Sequence, residues 1–413
     1  MNIRKIFTGL TLFFIIILLG GCSFIKNNSN TRDLTPTPPA TDTEEAAPIP
    51  SPTVTVTPTP SPTAAPTLTP TPVVTDESRA RELLQDMSLE EKVGQLFFVR
   101  LRKAQALEDI NAYHLGGYIL FGDDFKDETK ATIKELTASY QSASRIPMLI
   151  GVDEEGGTVN RISKYTSFRT VPFHSPKDLY TEGGFDLVKS DTLEKSNLLL
   201  SLGINVNLAP VCDVSTNPTD FIYGRAFGMD AISTSKYIKT VVEVMKQQKL
   251  GSTLKHFPGY GNNVDTHTDI AIDERDYETF VNSDFLPFKA GIDAGAGSIL
   301  VSHNIVTSMD KDYPASLSKE VHNILRNELG FTGVVMTDDL SMDAVKKYAG
   351  DSNAAVLAIK AGNDLLIATN FMEQIPAVIA AVNDNTISMD RIDESVLRVL
   401  MWKLSLGIIP SDY

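Results

Sequence analysis

The sequence has little that would staple it together or draw it to nucleic acid. Only two cysteines occur in 413 residues, Cys22 and Cys212, so no disulfide framework can hold the fold. Cys212 sits in an apolar stretch and is expected to be an ordinary buried thiol. Lysine and arginine are outnumbered by acidic residues, giving a formal net charge of -15. A phosphate-binding protein needs a basic stripe, and none is present, so nucleic acid is excluded as a partner. The longest apolar run, Leu10 to Leu19, is too short for a comfortable membrane span.

That short run nevertheless has the features of an export signal. Arg4 and Lys5 precede it, and Leu19-Gly20-Gly21-Cys22 ends it. The ending resembles a bacterial lipobox, in which the cysteine becomes the lipidated first residue. Residues 1–22 are therefore expected to be a lipoprotein signal. Cys22 is the expected lipidation site, and the protein is expected to be extracytoplasmic and anchored to the cell membrane. Residues 23–75 are dominated by proline and threonine, as in Thr57-Pro58-Thr59-Pro60-Ser61-Pro62. They lack the apolar periodicity that buries a core and are expected to be a disordered linker. As polyproline II, at about 3.1 Å per residue, such a linker reaches on the order of 150 Å.

Residues 76–413 have a different pattern. A capping box, Ser88-Leu89-Glu90-Glu91, opens a short helix. Eight short apolar runs then alternate with longer mixed segments. The runs are Leu96–Val99, Gly117–Phe121, Pro147–Val152, Asn205–Ala209, Ser252–His256, Ser298–His303, Gly333–Thr337 and Asp364–Ala368. The clearest intervening helices are Leu187–Ser201, Thr234–Leu250, Leu317–Leu329 and Asn353–Ala361. This alternation predicts an α/β fold, a (β/α)8 TIM barrel. A two-lobed, solute-binding lipoprotein is the alternative architecture.

Barrel enzymes gather their chemistry at the C-terminal ends of the strands, and four of these ends are rich in polar residues. They are Asp153-Glu154-Glu155-Gly156-Gly157, Lys255-His256-Phe257-Pro258-Gly259, Ser302-His303-Asn304 and Thr337-Asp338-Asp339-Leu340. Together they predict a site for a polar ligand that works with carboxylates. Asp338 has three open roles there: attack on an electrophilic carbon, cation binding, or capping of the next helix. Asp339 competes for each. In the loop after the fifth run, Asp265 precedes His267 by two residues. An aspartate so placed can bond the imidazole and favour its protonated form, giving a proton donor near neutral pH. Lys255 and His256 should point to opposite faces of a regular strand. Both reach one ligand only if the strand ends or twists there, as Pro258-Gly259 allows. A metal-dependent hydrolase built on His256, His267, His303 and Asp338 is disfavoured, because Phe97-Phe98-Val99-Arg100 stands where a His-x-His would follow the first strand.

These residues resemble glycoside hydrolase family 3, in particular its single-barrel β-N-acetylhexosaminidases. The resemblance runs from Met87-Ser88-Leu89-Glu90-Glu91-Lys92-Val93-Gly94-Gln95-Leu96 through Gly151-Val152-Asp153-Glu154-Glu155-Gly156-Gly157 and Ala209-Pro210-Val211-Cys212-Asp213 to Gly224-Arg225-Ala226-Phe227-Gly228. It is strongest in Lys255-His256-Phe257-Pro258-Gly259-Tyr260-Gly261 with Asp265-Thr266-His267, and it closes with Thr337-Asp338-Asp339-Leu340-Ser341-Met342. The resemblance implies a retaining exo-glycosidase that removes terminal β-linked N-acetylglucosamine from cell-wall or chitin-derived saccharides. It implies Asp338 as nucleophile and His267 as general acid/base with Asp265 as its partner. It also implies Asp153, Arg161, Arg225, Lys255 and His256 as sugar-binding residues. No metal or other cofactor is implied, and a monomer is expected. Two departures bear on leaving-group specificity: Tyr260 stands where a second histidine is usual, and Asn262–Val264 is one residue short. A phosphorylase, or a family member acting on another sugar, is the rival within the same family.

Overall fold

The computed structural model describes residues 75–263, 271–342, 345, 348–349 and 353–410. The export segment with Cys22, nearly all of the Pro/Thr-rich stretch, and both Asp265 and His267 lie outside the described residues.

Eight parallel strands form one sheet. They are β1 (Phe97–Arg100), β2 (Gly117–Leu120), β3 (Leu149–Val152), β4 (Val206–Asn207), β5 (Gly251–Phe257), β7 (Ser298–Val301), β9 (Val334–Thr337) and β10 (Leu366–Ala368). Their order is β10-β1-β2-β3-β4-β5-β7-β9. A parallel bridge between Met336 and Leu365 joins the two ends and closes the barrel. Asp364 N donates to Val335 O (2.7 Å) across this seam, and Thr337 N to Leu365 O (3.2 Å). Most of these strands are buried at every position, which explains their continuous apolar runs. The eight expected strands are all present. β4 and β7 stop short of their apolar runs because Leu208, Ala209, Ser302 and His303 already belong to the loops at the barrel mouth.

The barrel is plugged by side chains. Phe98, Ile119, Leu149, Val206, Leu208, Leu300, Val334, Met336 and Ile367 form one cluster inside it. Full burial of such side chains contributes roughly 1.5–3 kcal/mol each. Trp402, from the closing helix Met389–Ser405, joins the cluster from the N-terminal end. Gly251 and Gly297 admit it: a Cβ at Gly297 would lie 2.1 Å from the indole nitrogen. Asp364 is fully buried at the foot of β10 and gathers Arg326, Arg391 and Arg398, with the Ser395 hydroxyl donating to it at 2.7 Å.

The Ser88 capping box forms as expected, with Glu91 N donating to Ser88 Oγ and Ser88 N to the Glu91 carboxylate. Helices also form at Ala231–Gln247 and Ala354–Ala361. Two helices differ from the sequence expectation. The fourth-strand approach begins at Pro176, capped by Ser175, and runs to Ser201 with a break at Gly183-Gly184. The expected helix Leu317–Leu329 is divided into a 3-10 turn (Ala315–Leu317), an α segment (Lys319–Asn323) and a π segment (Ile324–Glu328). A small second sheet was not anticipated: β6 (Ile272–Asp273) pairs in parallel with β8 (Ile305–Val306) beside the barrel mouth. Two-residue strands carry no periodic signal.

Candidate active site

A cavity of about 420 Å³ opens at the C-terminal ends of the strands, within the usual range for small-ligand sites. Its floor is the top of the barrel plug, with Ile119, Leu208, Leu300 and Ile367 facing it. Asp153, Arg161, Arg225, Lys255, His256 and Asp338 all line its walls. Six of the eight proposed sugar-handling and catalytic residues are thus brought to one place, from four separate segments of the chain.

The three consecutive acids after β3 have distinct contacts. Asp153 accepts from Lys255 Nζ at 2.6 Å and faces the cavity. Glu154 turns away and is completely buried. It accepts from the backbone N of Arg161 (2.8 Å), Ile162 (2.8 Å) and Ser163 (3.1 Å), and so shapes the loop that presents Arg161. Glu155 accepts two bonds from Arg225, at 3.0 and 2.8 Å, and lies 2.7 Å from Lys255 Nζ. The following glycines permit the turn: Gly156 has φ +98°, and a Cβ there would meet the His174 carbonyl oxygen at 2.3 Å.

Asp153, Glu155, Lys255 and Arg225 therefore form a tetrad of two acidic and two basic groups, with Glu155 and Lys255 buried and Asp153 and Arg225 at its half-buried edge. Burial alone would push the Glu155 carboxyl up, but Lys255 and Arg225 outweigh it and hold it far below the usual carboxylate range. Burial likewise opposes the charge on Lys255, yet Asp153 and Glu155 raise its pKa above the ordinary lysine value. Glu155 and Lys255 thus each favour the charge of the other, and the exposed edge of the group offers both acceptors and donors to hydroxyl groups.

Lys255 and His256 do reach the same cavity. The β5–β7 ladder shifts register between Leu254 and Phe257, and the Lys255–His256 peptide is cis. His256 is held from both ring nitrogens. Arg225 can only donate, so Nε2 accepts from it at 3.1 Å; Nδ1 then carries the proton and donates to Asp213 at 2.8 Å. The buried Asp213 carboxylate also accepts from His256 N (3.2 Å) and Tyr260 N (2.7 Å). Tyr260 is buried, with its ring edge-on to His256 at 5.6 Å. Its aromatic body thus fills space behind the histidine. Cys212, next to Asp213, is buried as expected, and burial pushes its thiol well up.

At the end of β9 the two adjacent aspartates separate by role. Asp339 accepts from Ser341 N (2.9 Å), Thr369 N (3.3 Å) and Thr369 Oγ1 (2.6 Å), so its carboxylate ties two loops together. Its carbonyl accepts from His303 Nε2 at 3.1 Å, and the Ser316 hydroxyl bonds His303 Nδ1 at 2.7 Å. His303 is buried beneath the rim and does not line the cavity. Asp338 points to the cavity, with its Oδ1 accepting from Asp339 N at 2.8 Å. Among the described residues, no group of three or more His, Cys, Asp or Glu is arranged to hold a metal.

Four contributors had no assigned role in the sequence. Glu155 and Asp213 act through Lys255, Arg225 and His256. Arg100 and Phe121, at the ends of β1 and β2, line the opposite wall. The Arg100 guanidinium lies 4.3 Å from the Phe121 ring centroid, and that of Arg161 5.8 Å. Among the described residues, Arg161 Nε is buried without a hydrogen-bond partner.

The family model described as "Glycosyl hydrolase family 3 N terminal domain" matches residues 88–402, which include every wall of this cavity. The chain belongs to glycosyl hydrolase family 3. A beta-hexosaminidase of Nitrosomonas eutropha is 31% identical over 261 residues, covering 62% of this chain and 74% of that protein. A family 3 beta-N-acetylglucosaminidase from Paenibacillus superposes with a TM-score of 0.73 at 31% identity, over 78% of this chain and 63% of that one. Beta-N-acetylhexosaminidase from Beutenbergia cavernae gives 0.66 at 29% identity, over 76% of this chain and 98% of its own. Family 3 membership fits the geometry already described: a blind, polar-walled cavity with a carboxylate at the mouth of the seventh barrel strand.

Proposed function

We propose that this family 3 enzyme is an exo-acting, retaining β-N-acetylhexosaminidase that releases terminal N-acetylglucosamine through a glycosyl ester on Asp338. The observation that carries this reading is the division of labour between Asp338 and Asp339. Both line the cavity, but Asp339 ties its carboxylate to Ser341 and Thr369 of two loops, whereas Asp338 lies at the tip of β9 on the cavity shared with Asp153, Lys255 and Arg225. The named activities of the relatives agree with it.

In the first step a carboxylate oxygen of Asp338 attacks the anomeric carbon as the bond to the leaving oxygen breaks. His267 gives its proton to that oxygen. In the second step His267 takes a proton from water, the hydroxyl adds to the anomeric carbon, and Asp338 leaves as carboxylate. The charged tetrad and His256 hold the sugar hydroxyls meanwhile, and Asp265 supports the imidazolium. Exported, lipid-anchored placement through Cys22 makes cell-wall saccharides the natural source of substrate, with the Pro/Thr-rich stretch as spacer.

Turnover of p-nitrophenyl N-acetylglucosaminide by Asp338→Ala should fall by on the order of 10⁴-fold or more, about 5 kcal/mol of barrier. A fluorinated glycosyl fluoride should label the wild type on the peptide containing Asp338. Labelling of another carboxylate, or near-normal activity of the variant, would reject the assignment. Turnover that requires added phosphate would reassign the acceptor.

A further inference from the structure

The segment carrying Asp265 and His267 is tethered between Asn263 and Ala271, and both tether points are unusually well fixed. Asn263 Nδ2 donates to Tyr260 O (2.8 Å) and to Asp273 Oδ2 (2.7 Å), so the two ends of the segment are joined by one side-chain bond. Asp273 is buried and lies in β6, which β8 holds by Ile305 N→Ala271 O and Thr307 N→Asp273 O, both 2.9 Å. Arg275 locks this pair to the barrel. It donates to Asp273 (2.7 Å), to the buried Asp284 (3.1 Å) and to the Gly259 carbonyl (3.2 Å). The chain between β5 and Asn263 lies directly on these groups. A Cβ at Gly259 would sit 2.3 Å from Asp284, and one at Gly261 2.4 Å from the Arg275 guanidinium carbon. Tyr260 N, in the same stretch, bonds the Asp213 that orients His256.

We propose that Asn263, Asp273 and Arg275 are positioning residues for proton transfer: they form a clasp that fixes both ends of the Asp265–His267 segment relative to the sugar-holding wall. This rests on the reading of His267 as the acid/base. Nothing in the cluster lines the cavity, so its effect on catalysis is indirect. Proton transfer is sensitive to placement, and an error of about 1 Å costs roughly 10²-fold. A fault in delivery of the proton should be felt by leaving groups that need one and not by those that depart as stable anions.

The test compares the full-length wild type with Asn263→Ala, Arg275→Lys and His267→Ala, using kcat/KM for 2,4-dinitrophenyl and 4-methoxyphenyl N-acetylglucosaminides. Asn263→Ala removes only the two bonds of one amide, to Tyr260 O and Asp273, leaves the ion pairs intact, and serves where the buried ion-pair variant folds poorly. Loss of roughly 30- to 100-fold on the methoxyphenyl substrate, with under about 3-fold on the dinitrophenyl one and an unchanged inhibition constant for free N-acetylglucosamine, is expected of the clasp variants. Equal losses on both substrates, or weakened sugar inhibition, overturn the proposal in favour of a merely structural cluster. His267→Ala separates the two ideas. If it shows no leaving-group selectivity, the acid/base reading itself fails. If it is selective and Asn263→Ala is not, only the clasp fails.

Discussion

Glu155 illustrates how much of the site is carried by a residue that need not touch substrate. It neutralises Lys255 and Arg225 at once, and the fully buried Lys255 in particular would otherwise carry its charge at high cost. Glu155→Gln keeps the shape and removes the charge, so it should cost on the order of 3–5 kcal/mol of stability at pH 7. Because the folded carboxyl is held below its ordinary value of 4.5, this contribution is complete above about that pH and is lost as the pH falls further. Urea unfolding of wild type and variant should therefore converge on acidification below about pH 4.5. A gap that stays constant down to low pH would show that the charge is not what matters. The role of Glu155 was hidden in the sequence. Three adjacent acids look equivalent there, and only the backbone turn at Gly156 decides which one reaches Arg225, 70 positions later. Lys255 and His256 were legible as candidates, but their convergence depends on a register shift that no periodicity records.

At the scale of elements, the strands were legible and their linking segments less so. Strands buried on every side announce themselves as apolar runs. The π segment at Ile324–Glu328 and the two-residue strands β6 and β8 leave no such trace, since their conformation is set by what they pack against. The Asp364 knot is another case. This one carboxylate joins the foot of β10 to the Ile324–Glu328 segment through Arg326 and to the closing helix through Arg391 and Arg398. Asp364→Ala would leave three guanidinium groups crowded around an uncharged cavity. We expect a loss of about 3–5 kcal/mol, measured by denaturant unfolding, with sugar affinity of the remaining folded enzyme unchanged because the knot is at the opposite end from the cavity. A parallel loss of sugar affinity would mean that the two ends are coupled.

For the whole molecule, the most exposed weakness to pH is also at the sealed end. Lys403 is completely buried, with Gln95 Oε1 at 2.7 Å as its hydrogen-bond acceptor. Burial lowers its pKa from 10.5 to about 7. Between those values the unfolded chain holds a proton that the folded one does not, so stability rises with pH across that window. Below about 7 the full penalty applies, on the order of a few kcal/mol. Lys403→Met should flatten the difference in unfolding free energy between pH 7.5 and pH 10. If wild type and variant show the same slope, Lys403 does not take up a proton on unfolding in this pH range.

The plugged barrel has one more consequence. With Phe98 and its neighbours filling the interior beneath Ile119 and Leu300, and Trp402 closing the far side, the hollow at the strand tips is a dead end. On the proposed exo-acting reading, and among the described residues, a released monosaccharide has no back door and must depart through the opening by which the next chain end arrives. Catalysis in such a vestibule is distributive: every cleavage requires the shortened saccharide to let go, and the liberated sugar competes directly with its successor.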